Sequence, residues 1–140
     1  MNILTLITKH PALTNISSLF ARVGLATLFI LTSFSKIQYF DATAQYMTTA
    51  GLPEFLLPLV IAFELIGGLL IVLGFLTQLT AIAFAAFSVV SALLFHFQLD
   101  DQIQFLMFYK NITIAGGFLA LASHGAGKFS IDHLLLNRPS

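Results

Sequence analysis

The sequence predicts an all-α fold: an integral membrane bundle of four transmembrane helices, with a short surface helix in the first outer loop. Three observations carry that prediction. Of 140 residues, 58% are hydrophobic and 9% charged, whereas a soluble domain needs about 25% charged residues to cover its surface. Four apolar runs each approach the length of about 20 helical residues that a bilayer core of about 30 Å requires. Backbone groups in lipid must pair within their own segment, so runs of this length form helices.

Taken in order, "MNILTLITKHPALTN" places its apolar stretch before its one charge, Lys9, and shows no small-residue cleavage site. It is expected to lie along the membrane interface rather than to act as a signal peptide. The first span, "ISSLFARVGLATLFILTSFSKI", covers 16–37. "FDATAQYMTTAGLPEF" follows, with Asp41 as N-cap, Gly51 just past a helix end and Pro53 beyond it, which predicts the short surface helix. The second span covers 55–75, the third 77–97 and the fourth 104–123, all within one domain, 1–140. A short uncharged loop joins the second and third spans. "QLDDQI" joins the third and fourth, with Asp100 and Asp101 read as solvated charges. In the tail, 124–140, Ser130 is expected to cap a small helix.

Lysine and arginine counts orient the bundle. Four spans put both termini on one side, with Lys9, Lys128 and Arg138; the loops 38–54 and 98–103 carry none. Both termini are therefore expected to be cytoplasmic.

Composition also narrows function. Six basic and six acidic side chains cancel, leaving no electrostatic case for nucleic acid as a partner. The chain has no cysteine, which removes thiol redox chemistry, cysteine-held iron–sulfur clusters and c-type haem attachment. No multi-ligand metal spacing is present, and His96 and His124 fall at opposite membrane faces, unable to clamp one haem. The partner that remains is the lipid bilayer.

The residues that break the apolar pattern are the candidates for function. Lys110 lies inside the fourth span, where a lysine costs about 2.5–3.5 kcal/mol near the bilayer centre. At 1.5 Å per residue, Glu64 falls about 13 Å below the outer surface and Lys110 about 10 Å, with Arg22 about 9 Å in from the cytoplasmic side. The expectation is that Glu64 compensates Lys110, with Arg22 aimed outward and His96 and Asn111 completing a buried cluster, while Lys36 sits near the outer interface. Ionisable groups within spans mark functional sites. Small residues on the same faces, among them Gly67 and Gly68, are expected to let helices approach closely.

Together, "ARVGLATLFILTSFSKI", "YMTTAGLP", "FELIGGLLIVLGFLTQLTA", "LLFHF", "LMFYKNITIAGGFLALAS" and "GAGKFSID" resemble the DoxX family of small four-helix membrane proteins of bacteria and archaea. The likeness runs from about Leu19 to Leu135 and rests on the order and spacing of these stretches. It implies a multi-pass protein of the bacterial inner membrane. The family is described as oxidoreductase because one relative is a subunit of an archaeal thiosulfate:quinone oxidoreductase, and others belong to redox-defence assemblies. By position, the resemblance implies a polar, ligand-binding set of Arg22, Lys36, Glu64, His96, Lys110 and Asn111, and packing glycines at Gly67, Gly68, Gly116 and Gly117. It transfers no catalytic residue. Gln78 stands where a basic residue is expected on the short cytoplasmic loop.

Three functions follow. The first is a membrane oxidoreductase subunit that binds a quinone near the polar cluster and works with other membrane or soluble redox subunits, or as a homo-oligomer. The second is a proton-coupled or small-molecule transporter, consistent with a faint likeness between the hairpins of spans 1–2 and 3–4. The third is a structural anchor for soluble partners.

Overall fold

A computed structural model describes residues 3–8 and 10–137. Among these residues seven helices follow in order: α1 (Ile3–Thr8), α2 (Pro11–Gln38), α3 (Phe40–Thr49), α4 (Leu56–Leu73), α5 (Thr77–Phe95), α6 (Gln102–His124) and α7 (Ile131–Leu136). Of these, α2, α4, α5 and α6 are long and apolar enough to cross a membrane. α3 is the surface helix of the first loop. We call the end of the bundle that carries α3 the loop end and the end that carries α7 the tail end.

Local chemistry sets the boundaries. α2 starts earlier than the hydrophobic run because Pro11 stands in its first turn, where a missing N–H costs nothing. Its 28 residues span about 42 Å, more than the apolar core of a bilayer, so α2 tilts or projects beyond it. α3 starts one residue before Asp41: Tyr39 occupies the N-cap and makes no side-chain cap bond. Asp41 instead lies in the first turn, where its charge still favours the positive end of the helix dipole. α4 stops at Leu73 because Gly74 turns left-handed, with φ of 67°, and its N–H donates to the carbonyl of Ile71. Asp101 caps α6 by accepting from the N–H of Gln104 at 2.9 Å, so it does more than sit solvated in a loop. Ser130 caps α7 as expected, accepting from the N–H of His133.

The four spans pack chiefly as two antiparallel pairs, α2 with α4 and α5 with α6. Three phenylalanines join the pairs. The ring centroid of Phe84 on α5 lies 4.3 Å from that of Phe29 on α2 and 5.1 Å from that of Phe118 on α6. Aromatic pairs at such distances add about 0.5–1.5 kcal/mol each beyond the area they bury. Glycine makes this approach possible: a Cβ at Gly67 would come within 2.7 Å of the Phe84 ring, and one at Gly68 within 2.7 Å of Ile30. Gly117 is similarly tight, with Leu25 at 3.0 Å. Gly116 departs from the expected packing role, because a Cβ there meets nothing within 4 Å. Phe20, Leu31, Ile66, Leu79 and Ile103 are exposed, the surface that a lipid-facing bundle presents.

Candidate ligand pocket and its charged wall

The gap between the two helix pairs widens at the loop end into a cavity of about 430 Å³, with α3 over it. The surface helix is fixed there by Met47, which packs with Leu57 of α4, and by Tyr46. The Tyr46 ring stacks on Phe95 at 5.4 Å, and its hydroxyl donates to the Phe95 carbonyl at 3.3 Å. Phe29 and Phe87 line the apolar part of the cavity. A pocket of this size, mostly apolar with a few polar groups, has the character of small-molecule sites.

The charge inside is held by Lys36 and Glu64. Nζ of Lys36 lies 2.8 Å from both carboxylate oxygens of Glu64, and the hydroxyl of Thr32 reaches the same carboxylate at 3.5 Å. Glu64 is buried, while Lys36 keeps a quarter of its side chain exposed. This pair corrects the expectation that Glu64 compensates Lys110. The reason is directional. Side chains on a helix lean toward its N-terminus. α2 runs from tail end to loop end, so Lys36 leans inward from the interface. α4 runs the other way, so Glu64 leans toward the loop end, and the two meet. Lys110, on α6, leans toward the loop end as well, away from the membrane centre. Its Nζ contacts Met107 Sδ at 3.3 Å, and it lines the cavity together with Asn111.

His96 lies at the C-terminus of α5 and also lines the cavity. Its Nδ1 is 2.8 Å from the amide oxygen of Gln104, which ties the α5–α6 loop to the first turn of α6. Sequence reasoning did not assign Thr32, Tyr46 or Ser91, which also line the cavity; helical spacing relates Thr32 to Lys36 and Ser91 to Ser88, and nothing in the pattern marks Tyr46. Ser88, a small residue of α5, lines it too.

Arg22 does not join this cluster. It leans toward the tail end, as its place on α2 requires, and is fully buried there. Its Nη1 donates to the carbonyl of Val72 at 3.0 Å, and Nη2 donates to the carbonyl of Phe129. A cation here neutralises the negative end of the α4 dipole. Asp132 makes the complementary contact. Its carboxylate accepts from the N–H groups of Leu76 at 2.8 Å and Thr77 at 2.9 Å, the unpaired start of α5. Leu76 holds a left-handed φ of 51°, a strained conformation for a γ-branched residue, and Asp132 stabilises it there. The polar set thus divides into a cavity at the loop end and a clasp at the tail end that fastens α7 to the bundle.

The comparisons with known proteins agree with this architecture. The family model described as DoxX matches residues 17–97. Inner membrane protein YqjF of Escherichia coli is 47% identical over 123 residues, which cover 88% of this chain and 95% of that protein. Inner membrane protein YphA of Escherichia coli is 38% identical over 121 residues, 81% of this chain and 86% of that one. A protein of Bacillus subtilis named "Putative oxidoreductase CatD" is 36% identical over 70 residues, half of each chain. No solved structure matches significantly. With four spanning helices and this similarity across most of its length, the chain belongs to the DoxX family of membrane proteins.

Proposed function

We propose that the chain is a DoxX-type subunit of a membrane oxidoreductase that holds a quinone in the loop-end cavity. One observation carries the reading: an apolar cavity at the membrane's edge whose wall contains an ion pair, Lys36–Glu64, drawn from two different spans. A quinone needs an apolar slot for its ring and tail and hydrogen-bond donors for its carbonyl oxygens. Lys36, Asn111 and the serines of α5 supply donors, and Glu64 is placed to exchange a proton with a reduced ring. Electrons come from another redox subunit. The partial likeness to CatD, named as an oxidoreductase, points the same way.

The chain has no tryptophan, so Tyr46→Trp introduces a single reporter at the cavity wall. Short-chain ubiquinone and menaquinone analogues are expected to quench that emission saturably in detergent. The same ligands should quench a Tyr109→Trp control, outside the cavity, only in proportion to their concentration. Equal, non-saturating quenching of both reporters would mean partition into detergent and would remove the quinone site.

The orientation belongs to the same proposal: the loop end faces outward and both termini are cytoplasmic. Asp41, Glu54, Asp100 and Asp101 flank the loop end, and Lys128 lies at the tail end; Lys9 and Arg138 lie outside the described residues. A green fluorescent protein fused after Ser140 should fluoresce, and alkaline phosphatase fused there should stay inactive; the reverse pattern would invert the bundle.

A further inference from the structure

We infer that the loop-end cavity selects a ligand with an acidic, negatively charged head on an apolar body, and that Lys110 is the residue that reads the charge. The inference rests on the cavity being a ligand site, as proposed above, and names the class of molecule it prefers.

Charge is the first ground. Lys36–Glu64 is the one salt bridge among the described residues. Those two groups neutralise each other and leave Lys110 as a cavity-lining cation without a carboxylate partner. Its contact, the thioether of Met107 at 3.3 Å, is a weak acceptor. The cavity therefore has an excess positive charge, carried by an exposed lysine beside a mostly apolar wall, and a complementary anion has a partner there.

The second ground is independent. Ser88 lines the cavity and is only 2% exposed, yet its hydroxyl has no hydrogen-bond partner. Several other helical hydroxyls return to their own backbone: Thr27 donates to Val23, Ser33 to Ile30 and Thr113 to Tyr109. Thr77, at the far end of α5 and outside the cavity, is the other buried hydroxyl without a partner among the described residues. A buried hydroxyl left unpaired is destabilising, so an acceptor brought into the cavity would relieve that of Ser88. Lys110 and Ser88 stand on neighbouring helices, α6 and α5, as donors without a good acceptor. An oxyanion supplies the charge partner that Lys110 lacks toward the loop end, and a second acceptor atom deeper in the same ligand would meet Ser88.

Calorimetric titration of the full chain in neutral detergent tests this with two matched ligand pairs. The first is 2-hydroxy-1,4-naphthoquinone, ionised at neutral pH, against its neutral 2-methoxy ether. The second is decanoate against decanol. The anion of each pair is expected to bind about ten- to a hundredfold more tightly, the range of one charge-assisted hydrogen bond. Lys110→Gln should abolish that preference, and Lys110→Arg should keep it. If both naphthoquinones bind equally, the charge selection is wrong while the quinone site stands. If decanoate binds in a Lys110-dependent way but neither naphthoquinone does, the anion site stands and the quinone reading falls. If nothing binds, or if Lys110→Gln leaves the preference intact, the inference is overturned and Lys110 merely extends toward the interface.

Discussion

Lys36 and Glu64 show how far position along a chain predicts contact. Depth alone made Lys110 the partner of Glu64, because the two lie within a few ångströms of each other by helical rise. The lean of side chains toward each helix N-terminus decides otherwise, and it brings Lys36 to 2.8 Å from Glu64. The existence of a compensated carboxylate was legible from hydropathy. Its partner required the direction of each helix as well as its length. The same rule sends Arg22 to the carbonyls of α4 and the tail rather than to the cavity. Glu64→Leu alone strands the Lys36 ammonium and should destabilise the protein by about 1–3 kcal/mol, read as a lower thermal midpoint in detergent. The double variant Lys36→Leu/Glu64→Leu should regain most of that midpoint, since replacing both members of a buried pair with apolar groups is often neutral. It should not regain quinone quenching. A double variant as unstable as the single would show that the pair is not an isolated unit.

At the scale of elements, the four spans, the surface helix and the tail helix were readable from apolar run length and from cap residues such as Ser130. What the one-dimensional pattern could not separate was which glycines touch a neighbour. Gly67 and Gly116 both sit in glycine pairs, yet one faces the Phe84 ring and the other faces open space. Gly67→Ala should therefore cost about 1–3 kcal/mol by overpacking. Gly116→Ala should be neutral or stabilising by up to about 1 kcal/mol, through helix propensity. Thermal midpoints of the two variants check the contrast, and equal losses would place a second chain or an unseen contact against Gly116.

Across the whole molecule, two helix pairs are joined by a phenylalanine core in the middle and by a polar clasp at the tail end. The clasp was not legible in the sequence. Asp132 reads as an ordinary acidic residue in the first turn of its own helix, and only tertiary structure brings it to the start of α5. Asp132→Ala should free α7 and the left-handed turn at Leu76, giving faster proteolysis after Ala126 and a lower midpoint. Gly74→Ala should be as damaging, because φ there is 67° and a Cβ would overlap Arg22 and Ser130. Unchanged protease sensitivity in Asp132→Ala would mean that Arg22 and packing hold the tail by themselves. Keeping the clasp at one end leaves the other end of the gap open, and that opening is the cavity.

The claim that this opening is built to hold an apolar, hydrogen-bond-accepting molecule is tested most directly by mass spectrometry of what copurifies in mild detergent. The wild-type chain and the cavity-filling variant Ser91→Phe should be compared after equal washing. One specific quinone or acidic amphiphile near one per chain in the wild type, and absent from a folded Ser91→Phe, is the predicted result. Bulk membrane lipids in the same proportions from both proteins would contradict it.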